Sequence, residues 1–247
     1  MIGVFDSGAG GKLALKELRK IAQTADLCFL ADEKNAPYGE KSEEELVFLT
    51  RENIKALKSA GASKILMACC TASTVYPLLS DDEKRICVPI IAPTARAAVD
   101  AASGGRIAVI ATRATVKSRT FSREIEKLGY GNVVLEFEAQ SLVSLGERVA
   151  HGDRLTDNEL EHIYSSLARV KREEPEVLIL GCTHFPWLSD IISSYMKNTK
   201  LISSAREGAI AISRAEGITG RGITVYLDKK GQTKKWQNTE EEELTMP

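Results

Sequence analysis

The sequence has no apolar run of roughly 18 residues, the length a bilayer-spanning helix needs, so no membrane span is expected. It has no excess of basic residues: 33 Lys and Arg stand against 34 Asp and Glu, a formal charge of −1. That balance suggests neither a nucleic-acid footprint nor a polybasic membrane patch. No C-x-x-C pair occurs, and the three histidines (His151, His162, His184) are scattered. The adjacent Cys69 and Cys70 would point to opposite sides of a strand, so a structural zinc site is not expected. Five cysteines (Cys28, Cys69, Cys70, Cys87, Cys182) are an odd number for a disulfide framework and fit reduced thiols better. The first residues, Met1-Ile2-Gly3-Val4-Phe5, read as a strand, without the charged flank and apolar stretch of a signal peptide. These absences together predict a cytoplasmic protein.

What remains is ordinary for a globular chain: 247 residues, 43% hydrophobic and 27% charged, enough for one large domain or two. Strand-like and helix-like segments alternate, which predicts parallel α/β architecture. Strands are expected at residues 1–5, 26–31, 88–91, 106–111, 133–137, 177–180, 200–202 and 222–227, with one more leading from Lys64 to Cys69. Helices are expected at residues 12–22, 72–79, 94–102, 141–150, 157–171 and 205–216. Another follows the capping-box start Ser42-Glu43-Glu44-Glu45, and another runs from the 112–118 loop to 128. The charged run Glu240 to Glu243 reads as a solvated end. Pro93 opens a second round of the same kind, so one α/β round carries Cys69 and another carries Cys182.

Chemistry concentrates where strands end. In Lys64-Ile65-Leu66-Met67-Ala68-Cys69-Cys70-Thr71-Ala72-Ser73 an apolar run gives way to small and polar residues. In open α/β sheets, ligands bind beyond such carboxyl ends. Glu176-Val177-Leu178-Ile179-Leu180-Gly181-Cys182-Thr183-His184-Phe185-Pro186 repeats the arrangement. A lone strand-end cysteine is commonly a small buried hydrophobe. Two at equivalent places instead suggest two thiols facing each other across a carbon acid, one removing a proton and the other supplying one to the opposite face. His184, with Asp6 or Glu147, is the candidate base, although His184 alone also fits a structural histidine. Asp6-Ser7-Gly8-Ala9-Gly10-Gly11 matches no standard phosphate loop. It is either a tight turn or a site for a small zwitterion, Asp6 facing an ammonium and Ser7 with the backbone holding a carboxylate. Pro37-Tyr38-Gly39 alone reads as a turn.

Taken together, Asp6-Ser7-Gly8, Pro37-Tyr38-Gly39, Ala68-Cys69-x-Thr71-Ala72-Ser73 and Leu180-Gly181-Cys182-Thr183-His184-Phe185-Pro186 resemble the glutamate racemases, the cofactor-independent branch of the aspartate/glutamate racemases. The resemblance implies two pseudo-symmetric α/β sandwich domains with parallel sheets and the active site in the cleft between them. Residues 1–93 with 204–247 would form the first domain, carrying Cys69, and residues 94–203 the second, carrying Cys182. It implies Cys69 and Cys182 as proton-transfer thiols, assisted by Asp6 and His184, with Asp32 and Glu147 as polar support. Asp6, Ser7, Pro37, Tyr38, Gly39, Cys70, Thr71, Thr183 and His184 would hold an amino-acid substrate. No metal or other cofactor is implied, the product D-glutamate would serve peptidoglycan synthesis, and the candidate assembly is a homodimer. Alternatives are a racemase of aspartate or another amino acid, or a catalytically weak amino-acid-binding homologue. The chain departs from the family pattern at Cys70, where asparagine is usual, and at Phe121, where tyrosine is frequent. It departs again at Glu138-Ala139-Gln140-Ser141, which lacks the usual Cys-Pro ahead of Glu147.

Overall fold

The computed structural model describes residues 1–102, 104–215 and 220–227, and residues 233–235 by backbone alone. The Glu240 to Glu243 run lies outside the described residues. The first part of the chain forms β1 (Ile2–Asp6), α1 (Gly11–Ile21), β2 (Leu27–Ala31), α2 (Glu43–Ser59), β3 (Lys64–Met67), α3 (Cys70–Ser73), α4 (Asp81–Ile86) and β4 (Cys87–Pro89). The second forms α5 (Ile91–Ala102), β5 (Arg106–Ala111), α6 (Arg113–Ser118), α7 (Thr120–Glu126), β6 (Val133–Glu138), α8 (Leu142–Ala150), α9 (Asp157–Arg172), β7 (Val177–Gly181), α10 (Ser189–Tyr195) and β8 (Lys200–Ser203). The chain then returns through α11 (Ser204–Ser213) to β9 (Thr224–Leu227) and β10 (Thr233–Lys235).

Every residue of β1 and of β7 is buried, as their unbroken apolar runs require of strands covered on both faces. Ser42 and Glu45 close a reciprocal capping box on α2, and Thr156 and Glu159 do the same on α9. Two departures from the expected elements have local causes. The helix expected at 72–79 divides into α3 and a 3-10 turn at Tyr76–Leu78, where Pro77 interrupts helical hydrogen bonding. The 112–118 segment expected as a loop is itself helical, as α6 capped by Thr112, and Arg119, in a left-handed conformation with φ of 52°, separates it from α7.

The strands form two open sheets, ordered β10-β9-β2-β1-β3-β4 and β6-β5-β7-β8. All pairings are parallel except β9 with β10. Each half repeats one order: second strand, first, third, fourth. In such an order the connections diverge between the first and third strands, opening a crevice at their carboxyl ends. In the first half that point lies between Asp6 and Cys69; in the second it lies between Thr112 and Cys182. The two thiols are therefore topological equivalents.

One apolar cluster joins the halves. Val4 and Leu66 from the first sheet share it with Ile107 and Ile179 from the second, with residues of α1, α5 and α11 between them. Helix α5 packs against α7, α11, β7 and β8, and its inward face is small, with Ala95, Ala98 and Ala102 fully buried. Among the described residues no helix is long and apolar enough to cross a membrane. All five cysteines are free and buried.

The small face of α5 sets how closely the two halves approach. Ala98→Leu is expected to cost about 1–3 kcal/mol through overpacking. Denaturant unfolding checks this, and unchanged stability would remove α5 as the spacer between the sheets.

Candidate active site

The carboxyl ends of β1, β3 and β7 meet at one seam. Asp6 ends β1 with no exposed surface. Its Oδ1 accepts the Gly8 backbone N–H at 2.9 Å, and its Oδ2 accepts the Thr183 hydroxyl at 3.0 Å. The first contact closes its own loop and the second comes from the other half. Burial raises the Asp6 pKa, opposed by the positive charge of His184 and by these two hydrogen bonds.

Cys69 follows β3 and sits at the N-terminus of α3. Its Sγ lies 3.5 Å from the Ser7 Oγ and 3.5 Å from the Ala72 backbone N–H. Burial, then the charge of Asp6, pushes the thiol up to about 12. Cys182 follows β7 and has a different setting. Its Sγ lies 3.6 Å from His184 Nδ1, and His184 Nε2 is ion-paired with Glu147 Oε2. Burial works against a charged imidazole, but the bonds to Cys182 and Glu147, with the charges of Cys182 and Asp6, outweigh it and lift His184 to about 11. The bond to His184 in turn holds the Glu147 carboxyl below its usual range. Cys69 lies close enough to Cys182 for a charge on Cys182 to raise it further.

Local sequence explains this placement. Gly146 on α8 lies against the His184 carbonyl, where any Cβ would collide, so the helix closes down and delivers the next residue, Glu147, to the imidazole. Gly8 faces the same pair: a Cβ there would lie 3.7 Å from His184 Nε2 and 4.0 Å from Glu147 Oε2. Glu147 thus meets His184 although the usual Cys-Pro ahead of it is missing.

The remaining candidates divide. Thr71 shares a closed triangle of hydroxyls with Thr112, at 2.9 Å, and Thr115, at 3.2 Å, which bridges the halves. Gly39 lies against Thr112 and Gln140. Tyr38 is buried behind Cys69, its hydroxyl donating to Asp32 at 2.6 Å and accepting from Asn53 at 2.9 Å. Burial and the Asp32 hydrogen bond raise the Tyr38 phenol. Asp32 also accepts from Asn35, so it braces Tyr38. Pro37 stays exposed at the edge of this group. Cys70 turns away from Cys69, its thiol donating to the Ser204 hydroxyl at 3.4 Å. Phe121 is fully buried against Gly181.

Sequence reasoning missed Thr112, Thr115, Asn53, Gln140 and Ser204. For two of them a signal was present. Thr112 ends the apolar run of β5 as Asp6 ends that of β1. Asn53 interrupts the apolar stripe of α2 formed by Leu46, Leu49, Ile54 and Leu57.

The folded state raises the His184 pKa above that of an unfolded histidine, about 6.5. Its contribution to stability is then complete below about pH 6.5 and is lost as pH rises toward about 11. Glu147→Gln should move the His184 titration downward, read from its imidazole NMR shifts. An unaltered titration would mean that Glu147 does not hold the proton there.

The family described as Asp/Glu/Hydantoin racemase matches residues 15–212. Glutamate racemase 3 of Caldanaerobacter subterraneus is 30% identical over 241 residues, covering 94% of this chain and 87% of the relative. The glutamate racemase of Exiguobacterium sibiricum is 32% identical over 236 residues, covering 92% and 83%. Among solved structures, a glutamate racemase isoform of Bacillus anthracis superposes with a TM-score of 0.79 at 28% identity, covering 92% of this chain and 86% of that one. The glutamate racemase of Francisella tularensis, solved in complex with D-glutamate, gives 0.76 at 25% identity, covering 85% and 78%. With that family match over most of its length and relatives of this identity and coverage, the chain belongs to the Asp/Glu/Hydantoin racemase family.

Proposed function

We propose that this protein interconverts L- and D-glutamate by proton transfer between Cys69 and Cys182, without a cofactor. The observation that carries the reading is the pair of thiols, delivered by equivalent strands to one seam and given opposite surroundings. The half that carries Cys69 and the half that carries Cys182 serve as the two walls of the site.

Cys182 faces the His184 imidazolium at 3.6 Å, while Cys69, buried near Asp6, rests as a thiol. In one direction the Cys182 thiolate takes the Cα proton, the C–H electron pair stays on the substrate carbanion, and Cys69 supplies its proton to the opposite face. In the other direction the roles exchange, and the high basicity of a Cys69 thiolate suits it to proton removal. Each turnover leaves the two thiols in swapped protonation states, restored by exchange with water. Asp6 and His184 tune these steps, and Glu147 positions His184. Ser7, Tyr38, Gly39, Thr71 and Thr183 form the polar walls around the amino acid, with Pro37 and Asp32 shaping the Tyr38 turn. Relatives named glutamate racemase, one of them solved with D-glutamate, support the substrate class. The D-glutamate would feed peptidoglycan synthesis in the cytoplasm, with a homodimer as the assembly.

Protein supplied with reductant and no cofactor should interconvert the glutamate enantiomers, and in D₂O deuterium should enter Cα from either one. Chelators should leave the rate unchanged. Loss of activity on chelation would point to a metal mechanism. Exchange with aspartate alone would identify an aspartate racemase, and no exchange with any amino acid would leave a binding protein.

Cys69→Ser and Cys182→Ser should each lower kcat by about a hundredfold or more, because a hydroxyl is a far weaker acid–base group at neutral pH. Cys28→Ser and Cys87→Ser, which lie within β2 and at the start of β4 and not at the strand ends that carry the site, should stay within a few-fold of the parent. Full activity in either of the first two variants would sink the two-thiol assignment.

A further inference from the structure

Among the described residues the chain passes between the two sheets twice on its way to β9, from β4 into α5 and from β8 into α11. Both passages are tied to the short helix α3 that follows Cys69. At the first, Ser73 Oγ donates to the Met67 carbonyl at 3.0 Å and accepts the Ile90 backbone N–H at 3.2 Å. At the second, the Cys70 thiol donates to Ser204 Oγ at 3.4 Å, and the Ser204 hydroxyl donates to the Leu180 carbonyl at 2.5 Å. Cys70 is 2% exposed and Ser204 is fully buried. Leu180 lies two residues before Cys182, and Cys70 is bonded directly to Cys69. A three-group relay therefore runs from one thiol loop to the other through the returning crossover.

We propose that Cys70 and Ser204 form a buried clamp that sets the separation of Cys69 and Cys182, making them positioning residues for proton transfer. The proposal rests on the two-thiol reading above. A thiol carries one proton, and that of Cys70 is directed to Ser204, within the apolar cluster that also holds Ala68, Ala205 and Ala209. At this position, where the family pattern has an asparagine amide, the chain uses its side chain to hold the two halves in register. Register matters because proton transfer requires hydrogen-bond distances at both faces of Cα, and a misplacement of about 1 Å can cost about a hundredfold. The pinned crossover also explains why Ser204 is buried without apolar character: it is the junction at which β8, β7 and α3 are held together.

The test is steady-state racemisation of glutamate by Cys70→Ala, Ser204→Ala, the double variant and Cys70→Ser, with Tm measured for each. Each alanine variant should lose roughly tenfold in kcat with KM within about twofold, since alignment and not binding is disturbed. The isotope effect on kcat with Cα-deuterated glutamate should rise. The double variant should be no slower than the slower single one, because either change breaks the same relay. Cys70→Ser keeps a donor to Ser204 and should recover kcat to within about threefold. If the alanine variants do not fold, the exchange Cys70→Ser with Ser204→Cys, which retains a donor and an acceptor at each end, carries the test through its kcat. A raised KM with kcat preserved would make Cys70 a substrate contact and overturn the clamp. Multiplicative losses, unchanged kcat, or a slow exchange variant with native Tm would overturn it as well. An active parent with indifferent Cys70 and Ser204 variants removes the clamp alone, whereas full activity in Cys182→Ser removes the two-thiol reading beneath it.

Discussion

A carboxyl group without exposed surface governs this site. Removing the charge of Asp6 from water costs several kcal/mol unless its oxygens find donors. One donor is the backbone of its own turn at Gly8; the other is the Thr183 hydroxyl from the opposite half. Losing the Thr183 bond would leave Oδ2 of this buried carboxyl without its donor. Because Thr183 lies between Cys182 and His184, the same bond fixes the second thiol and its imidazole relative to the first loop.

The two halves repeat one strand order, yet their chemistry differs. The first strand of one half ends in Asp6, and that of the other is followed by Thr112. Only the second half brings an acidic helix residue, Glu147, down onto a histidine. One thiol consequently lies buried beside an anion, and burial with that charge drives it up to about 12, while the other lies beside a cation held by Glu147. A racemase needs a proton donor and a proton acceptor at opposite faces of one carbon, and near-symmetric topology with unlike neighbours is a direct route to that pairing. The hydroxyl triangle of Thr71, Thr112 and Thr115 braces the same seam without adding charge.

These contacts rest on a common core. Helices α1, α5 and α11 are shared between the sheets, so displacement of either half is felt in the packing of both. The site residues are correspondingly closed in: Cys69 is 4% and Cys182 6% exposed, while the Glu147 side chain, at 37%, reaches solvent. Glu147 is thus where the buried Cys182–His184 pair meets water.

How much of this was written in the linear chain depends on the range of the interaction. The apolar runs of β1, β3, β5 and β7, their polar ends at Asp6, Cys69 and Cys182, and the capping boxes of α2 and α9 are local patterns, readable because backbone periodicity and hydrogen-bond demand act over a few residues. They specified parallel α/β architecture and marked both thiols. The bond between Asp6 and Thr183 spans 177 positions, and that between Cys70 and Ser204 spans 134, so neither leaves a local signature. The same holds for Asn53 behind Tyr38 and for Thr112 beside Thr71. Sequence alone marked Cys70 as a departure from the family pattern at a substrate-contact position; the packing of α3 against the returning crossover turned its thiol toward Ser204. Side-chain direction at a strand end is settled by which elements converge there, and that convergence exists only once the two sheets close on a common layer of helices.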